Sequence, residues 1–114
     1  PEDVKKLEAA MKAQAAREQV RADFTRLFAS VDLIAGPTMP TVAFRLGEKS
    51  DPLSSYLADI LTVPANLAGV PAISVPCGTV GGLPVGLQLM GRPFEDEQVV
   101  EAAYAFEQVP GGRA

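Results

Sequence analysis

The spacing of apolar and polar residues changes several times along this chain, and each change marks an element. Residues 2–29 are rich in helix formers and contain neither Pro nor Gly, and Glu2 and Asp3 suit the positive end of a helix dipole. The pattern predicts one long helix there. Its apolar positions do not form a single stripe. Val4, Leu7 and Met11 share one face. Val20, Phe24, Leu27 and Val31 share a roughly opposite one, extended backwards by Ala9, Ala10, Ala13 and Ala16. Such a helix is covered on both sides, or kinked, or partnered in its first turns by something outside the chain.

After the helix the period shortens. Residues 32–36 form an apolar run ahead of Pro37 and read as a buried strand, followed by an extended, Pro-punctuated segment over 37–41. Mixed charge over 42–52, with Gly47 and Pro52, reads as a surface loop. Residues 53–61 look helical, and a second helical piece over 64–68 has Pro64 in its first turn and Gly69 closing it. Residues 72–75 read as a strand, 78–84 as a Gly-rich turn with Gly81-Gly82 at positive φ, and 85–90 as the returning strand. On that strand Val85, Leu87 and Leu89 share one side. A last helix over 95–108 opens on Glu95, Asp96 and Glu97 and turns Val99, Ala103 and Phe106 inward. Residues after Val109 read as a frayed tail.

The expected fold class is therefore α/β, in the order helix, strand, loop, helix, strand, strand, helix. Three near-continuously apolar strands need cover on both faces. Few elements here can supply it, so residues 1–114 read as a single segment of a larger α/β sheet, incomplete without upstream sequence. The first residue is Pro1 rather than Met, compatible with a processed product or a piece of something longer.

Composition removes several kinds of chemistry. With 114 residues and 47% hydrophobic content the chain can form one core. No run approaches the roughly 18 apolar residues of a membrane span and no leader opens the chain, so a cytoplasmic setting is expected. A net charge of −4, with Lys and Arg interleaved with acids, argues against a nucleic-acid surface. The absence of His excludes an internal Ser-His-Asp or Cys-His device, and one Cys excludes internal disulfides and multi-thiolate metal sites.

Asp59 is the conspicuous candidate, the one charged side chain in the otherwise uncharged run from 59 to 78. On a helix it neighbours Tyr56, Ile60 and Val63, so it is expected on the apolar side. A carboxylate there needs a cation or several donors. It either caps or pairs structurally, or it binds a ligand's ammonium group. Ser54 and Ser55 follow Asp51-Pro52 as helix-entry residues, with no nucleophile elbow around them. Cys77, before Gly78, reads as a small buried apolar residue without the cationic partner a thiolate needs. The glycines at 78, 81, 82 and 86 lie in a strand-turn-strand context, which lacks the helix amino terminus of a phosphate cradle. Thr38 and Thr41 follow the carboxyl end of a strand, where ligand contacts and ordinary loop chemistry are both common.

Several motifs resemble those of the amidase signature family: Asp32-Leu-Ile-Ala-Gly-Pro-Thr-Met-Pro40, Asp51-Pro-Leu-Ser-Ser-Tyr-Leu-Ala-Asp-Ile-Leu-Thr-Val-Pro-Ala-Asn-Leu-Ala-Gly69 and Pro71-Ala-Ile-Ser-Val-Pro-Cys-Gly78. Gly82-Leu-Pro-Val-Gly-Leu-Gln-Leu-Met-Gly91 and Ala103-Tyr-Ala-Phe-Glu107 continue the likeness, which covers about residues 13–108. Residues 1–12 depart from the family's Tyr-rich lead-in. The resemblance implies the carboxy-terminal portion of that family's mixed-sheet fold. The form Tyr56-Leu-Ala-Asp-Ile-Leu-Thr-Val-Pro64 leans toward the branch that hydrolyses glutamine for tRNA-dependent amidation.

In that family a Ser nucleophile is activated by a second Ser and a Lys, and backbone N–H groups receive the oxyanion. The matched region lies downstream of all of these. Lys5, Lys6, Lys12 and Lys49 lack the context of the family's Lys, and Arg17 and Arg21 do not take the register of its carboxylate-gripping Arg. The resemblance thus implies no catalytic residue here and one substrate-binding residue, Asp59, holding the α-ammonium of glutamine. No cofactor or metal is expected in the chain, because ATP and Mg2+ would be used by a partner subunit. The implied partners are the upstream part of the same fold, other amidotransferase subunits, and tRNA through one of them, with no membrane. A stand-alone small-amide amidase and a non-catalytic assembly remnant are the alternatives.

Overall fold

A computed structural model of the chain describes residues 1–48 and 51–109. Helix α1 (Glu2–Phe28) is followed by strand β1 (Ile34–Pro37), helices α2 (Pro52–Ala58) and α3 (Val63–Ala68), strands β2 (Ala72–Val80) and β3 (Leu83–Met90), and helix α4 (Asp96–Glu107). The expected α/β order holds. Lys49 and the predicted tail after Val109 lie outside the described residues. No helix among those described is long and apolar enough to cross a membrane.

The three strands form one sheet in the order β1-β3-β2, with both pairings antiparallel. Strand β2 runs five residues beyond the predicted end at Val75, through Pro76 and Cys77. Proline usually ends a strand because it cannot donate to the ladder. Here β2 is an edge strand, where the loss is tolerated. Pro76 pairs with Gly86 and Gly78 with Val85, so Cys77 is the extra residue of a bulge. The predicted turn over 78–84 shrinks to Gly81-Gly82, at φ of 59° and 80°. Two positive φ values between the paired Val80 and Leu83 are what a tight hairpin needs, and β3 accordingly starts at Leu83 rather than Val85.

Alternation along the strands divides the sheet into two unlike faces. Ile73, Val75, Leu87 and Leu89 face α4 and pack with Ala102, Ala103 and Phe106. Val99 is the most deeply buried large side chain at 2% exposure, so the predicted inward stripe of α4 is correct. Ser74, Gln88 and Met90 belong to the other set of alternate positions, beneath the α2–α3 segment. Gln88 donates from Nε2 to the Leu61 carbonyl at 2.9 Å, which ties that segment to the sheet.

Helix α1 is unbroken, and Phe28 is its only buried residue. Its inward face differs from the predicted one. Leu27 and Val31 are exposed at 51% and 42%, and Phe28 takes their place, its ring tilted against Phe24 and lying under the Arg92 guanidinium. Val4, Leu7 and Met11 are all at least half exposed. The helix meets α3 through the Arg17 Nε, which donates to the Leu67 carbonyl at 3.1 Å. Much of its length has no partner among the described residues.

Candidate functional site

Helix α2 begins as predicted. Asp51 is its N-cap, accepting from the Ser54 amide at 2.9 Å, and Pro52 fills the first helical position. Ser54 and Ser55 are therefore helix-entry residues. The helix then stops at Ala58, three residues short of expectation, and Asp59 is its C-cap at φ −96°, ψ 2°. The Asp59 carbonyl accepts from the Thr62 amide and hydroxyl, both at 3.1 Å, and from the Val63 amide at 3.2 Å. Pro64, with no N–H, cannot extend the ladder, so the chain closes a turn and restarts as α3.

This turn corrects the expected setting of Asp59. The residue is exposed, Tyr56 and Ile60 are exposed at 59% and 41%, and no apolar face surrounds the acid. No ion pair or side-chain hydrogen bond reaches its carboxylate among the described residues. Asp59 is a free anion beside the site rather than a buried one within it.

The site itself is a cavity of about 380 Å³ between the sheet and the α2–α3 segment. Thr38, Thr62, Asn66, Ser74 and Gln88 supply its polar lining, and small apolar residues supply the rest. Thr38 enters because its amide donates to the Gly86 carbonyl at 3.1 Å, which carries the β1–β3 pairing one residue past β1. Its hydroxyl lies 2.6 Å from that of Ser74. The Asn66 Nδ2 donates to the Thr62 carbonyl at 3.1 Å. Asp59 adjoins the cavity through its backbone bond to Thr62, although its carboxylate does not line it.

Gly86 makes the hydroxyl pair possible. A Cβ there would stand 2.6 Å from the Ser74 Oγ and 3.0 Å from the Thr38 Oγ1. Gly86→Ala is expected to separate the two hydroxyls and to lower stability by about 1–2 kcal/mol, from one lost hydrogen bond and local overpacking. Chemical denaturation of wild type and variant checks this. A midpoint within error of wild type would show that the pair shifts without cost.

Other candidates disperse. Thr41 lies in a separate, largely apolar cavity between Pro37 and Val85, so the structure does not bring Thr38 and Thr41 together. Cys77 is half-buried, and its thiol contacts the Val85 carbonyl at 3.5 Å. Arg17 is engaged by Leu67, and Arg21 pairs with Glu18 at 3.2 Å. Lys5, Lys6 and Lys12 are exposed along α1. Sequence reasoning passed over Ser74 and Gln88. The signal was available: Gln88 is a polar residue between Leu87 and Leu89, at a position that alternation places on the second buried face.

Comparison with known proteins gives this geometry a context. A protein-family model described as Amidase matches residues 2–100. The A subunit of the glutamyl-tRNA(Gln) amidotransferase of Methanospirillum hungatei JF-1 is 69% identical over 103 residues, covering 90% of this chain and 23% of that protein. The protein of the same name from Moorella thermoacetica is 59% identical over 99 residues, 86% of this chain and 20% of that one. The crystal structure of its counterpart from Thermotoga maritima superposes with a TM-score of 0.82 at 41% identity, over 97% of this chain and 27% of the other. A bacterial aryl acylamidase of the amidase signature enzymes gives a TM-score of 0.73 at 29% identity, over 87% and 22%. The chain thus spans roughly a quarter or less of the length of these proteins and corresponds to a carboxy-terminal part of its curated relatives. A match running from the first turn of α1 through all three strands into α4 makes the chain a member of the amidase family.

Proposed function

We propose that this chain is the carboxy-terminal portion of the glutamine-hydrolysing subunit of a tRNA-dependent amidotransferase. The observation that carries the reading is the 69% identity to an amidotransferase A subunit over nine-tenths of the chain, against 29% for the aryl acylamidase. In the complete enzyme, glutamine is hydrolysed by a nucleophile upstream of this region. The ammonia passes to a partner subunit that uses ATP and Mg2+ to activate the misacylated tRNA, in the cytoplasm. This chain supplies no catalytic group and is inactive alone. Its contribution is to complete the sheet and to present one anion.

Asp59 fills that role on physical grounds. A carboxylate free of internal partners at a helix end, adjoining a polar cavity, can accept an ammonium group without first breaking an ion pair. It acts in binding rather than in chemistry, so the effect of removing it falls on KM. In the complete enzyme Asp59→Ala is expected to raise the KM for glutamine about tenfold, with kcat changed less than about threefold. An unchanged KM would make the acid structural.

A stand-alone amidase is the second reading, favoured by the TM-score of 0.73 to the aryl acylamidase. It entails full activity on small amides without partner subunits or tRNA. On the first reading, supply of ammonia to tRNA requires them.

A further inference from the structure

Among the described residues Gln88 is the one buried polar side chain, at 4% exposure. Its carboxamide has a fixed orientation. The Leu61 carbonyl can only accept, so the Gln88 nitrogen must face it and the oxygen must face away. That oxygen has no hydrogen-bond partner among the described residues and is left to the cavity that Gln88 lines. The same logic orients Asn66, whose nitrogen is held by the Thr62 carbonyl and whose oxygen is left without a partner among the described residues. The hydroxyls of Thr38 and Ser74 share one hydrogen bond, so one of their two protons remains available. No ionisable side chain among the described residues lines the cavity.

Two carboxamide oxygens and one spare hydroxyl proton, with no charge, complement a group that has two N–H donors and one acceptor and is itself neutral. We propose that the cavity under the α2–α3 segment is a binding site for a primary carboxamide. Gln88 and Asn66 accept its N–H groups, and the Thr38–Ser74 pair donates to its oxygen. Free ammonia or ammonium offers N–H donors but no carbonyl oxygen. This proposal rests on the amidase reading above and deepens it, assigning amide recognition to residues outside the catalytic machinery.

The test uses the complete parent enzyme and measures ligand binding directly, by ligand-observed NMR titration, so that it does not depend on turnover. The probes are propionamide, N,N-dimethylpropionamide and ammonium chloride. Propionamide is expected to bind about tenfold or more tightly than the dimethyl compound, as loss of two N–H donors opposite two carboxamide oxygens implies. Gln88→Met keeps the side-chain length and Asn66→Leu keeps its approximate shape, and each removes one acceptor for the N–H groups. Each is expected to reduce that ratio to about threefold or less. Should Gln88→Met fail to fold, Asn66→Leu decides alone. An unchanged ratio in the variants, no binding of propionamide, or displacement of propionamide by ammonium chloride at comparable concentration would overturn the proposal. Retention of the expected ratios in a parent that hydrolyses no glutamine would support the pocket while removing the glutaminase reading.

Discussion

Replacing Arg92 by Ala should lower the stability of the fold by about 3 kcal/mol, because one guanidinium joins three elements. Its Nη2 donates to the Phe28 carbonyl at 2.7 Å and to the Val31 carbonyl at 3.0 Å. Its Nη1 donates to an Asp32 carboxylate oxygen at 3.2 Å and lies 3.8 Å from Glu95, close enough for an ion pair but too far for a hydrogen bond. The carbon of the guanidinium stands 5.9 Å from the centre of the Phe28 ring. The last carbonyls of a helix have no amide left to accept from. At the end of α1 the Ser30 and Val31 amides turn back to Leu27, and Arg92 serves Phe28. Without it the carboxyl end of α1 loses its bond to the loop between β3 and α4. Arg92→Lys should recover less than half the loss, since an ammonium on a flexible stem cannot reproduce the planar fork. Chemical denaturation of the three proteins measures both effects. A loss below about 0.5 kcal/mol for the Ala variant, the range of an ordinary surface change, would show that α1 is held elsewhere.

The second large effect is expected at Gly91. This residue is buried, and its amide donates to the Pro71 carbonyl at 3.0 Å. A Cβ added there would collide with the Cγ2 of Val99. Val99 cannot move aside easily, because a β-branched residue inside a helix has one preferred rotamer and this one is only 2% exposed. Gly91→Ala is therefore expected to cost about 2 kcal/mol and Gly91→Val about 3 kcal/mol or more, as α4 is pushed from the sheet. Pairing Gly91→Ala with Val99→Ala should recover part of the collision, giving a favourable coupling in a double-mutant cycle. Strict additivity of the two would contradict the packing described.

The elements were legible where local chemistry and tertiary role agree. Asp51-Pro52 starts a helix by capping, Gly69 ends one at φ 72°, and Gly81-Gly82 makes a hairpin, each for reasons contained within a few residues. Reading failed where a distant partner decides. Pro76 looked like a strand terminus, and only the position of β2 at the sheet edge allows the strand to continue through it. Phe28 rather than Leu27 faces inward because Arg92, 64 residues later, sits over its ring. Spacing predicts Asp59 on a helix face. The helix ends one residue earlier because Thr62 caps the Asp59 carbonyl and Pro64 blocks the next turn. The candidate site shows the same limit. Asp59 stood out by charge, whereas Thr38, Ser74 and Gln88 became a group only once antiparallel register set Ser74 opposite Gln88 and Gly86 left space for the hydroxyls.

The unequal cover of this chain agrees with its share of its relatives. Val4, Leu7 and Met11 on α1 and Leu46 at the loop are exposed apolar residues, more than the sheet and α4 can shelter. The chain spans 23% of the length of its Methanospirillum hungatei relative, and the proposed function assigns the cover of these surfaces to the rest of such a protein. On the proposed function, the chain completes an amidase rather than constituting one.

Glutamine hydrolysis measured side by side, for the purified 114-residue chain and for the complete parent enzyme with its partner subunits, puts that statement to the plainest trial. Ammonia release is expected from the complete enzyme, and from the isolated chain a rate no higher than the no-enzyme control. Glutaminase activity in the isolated chain, or none in the complete enzyme, would contradict it.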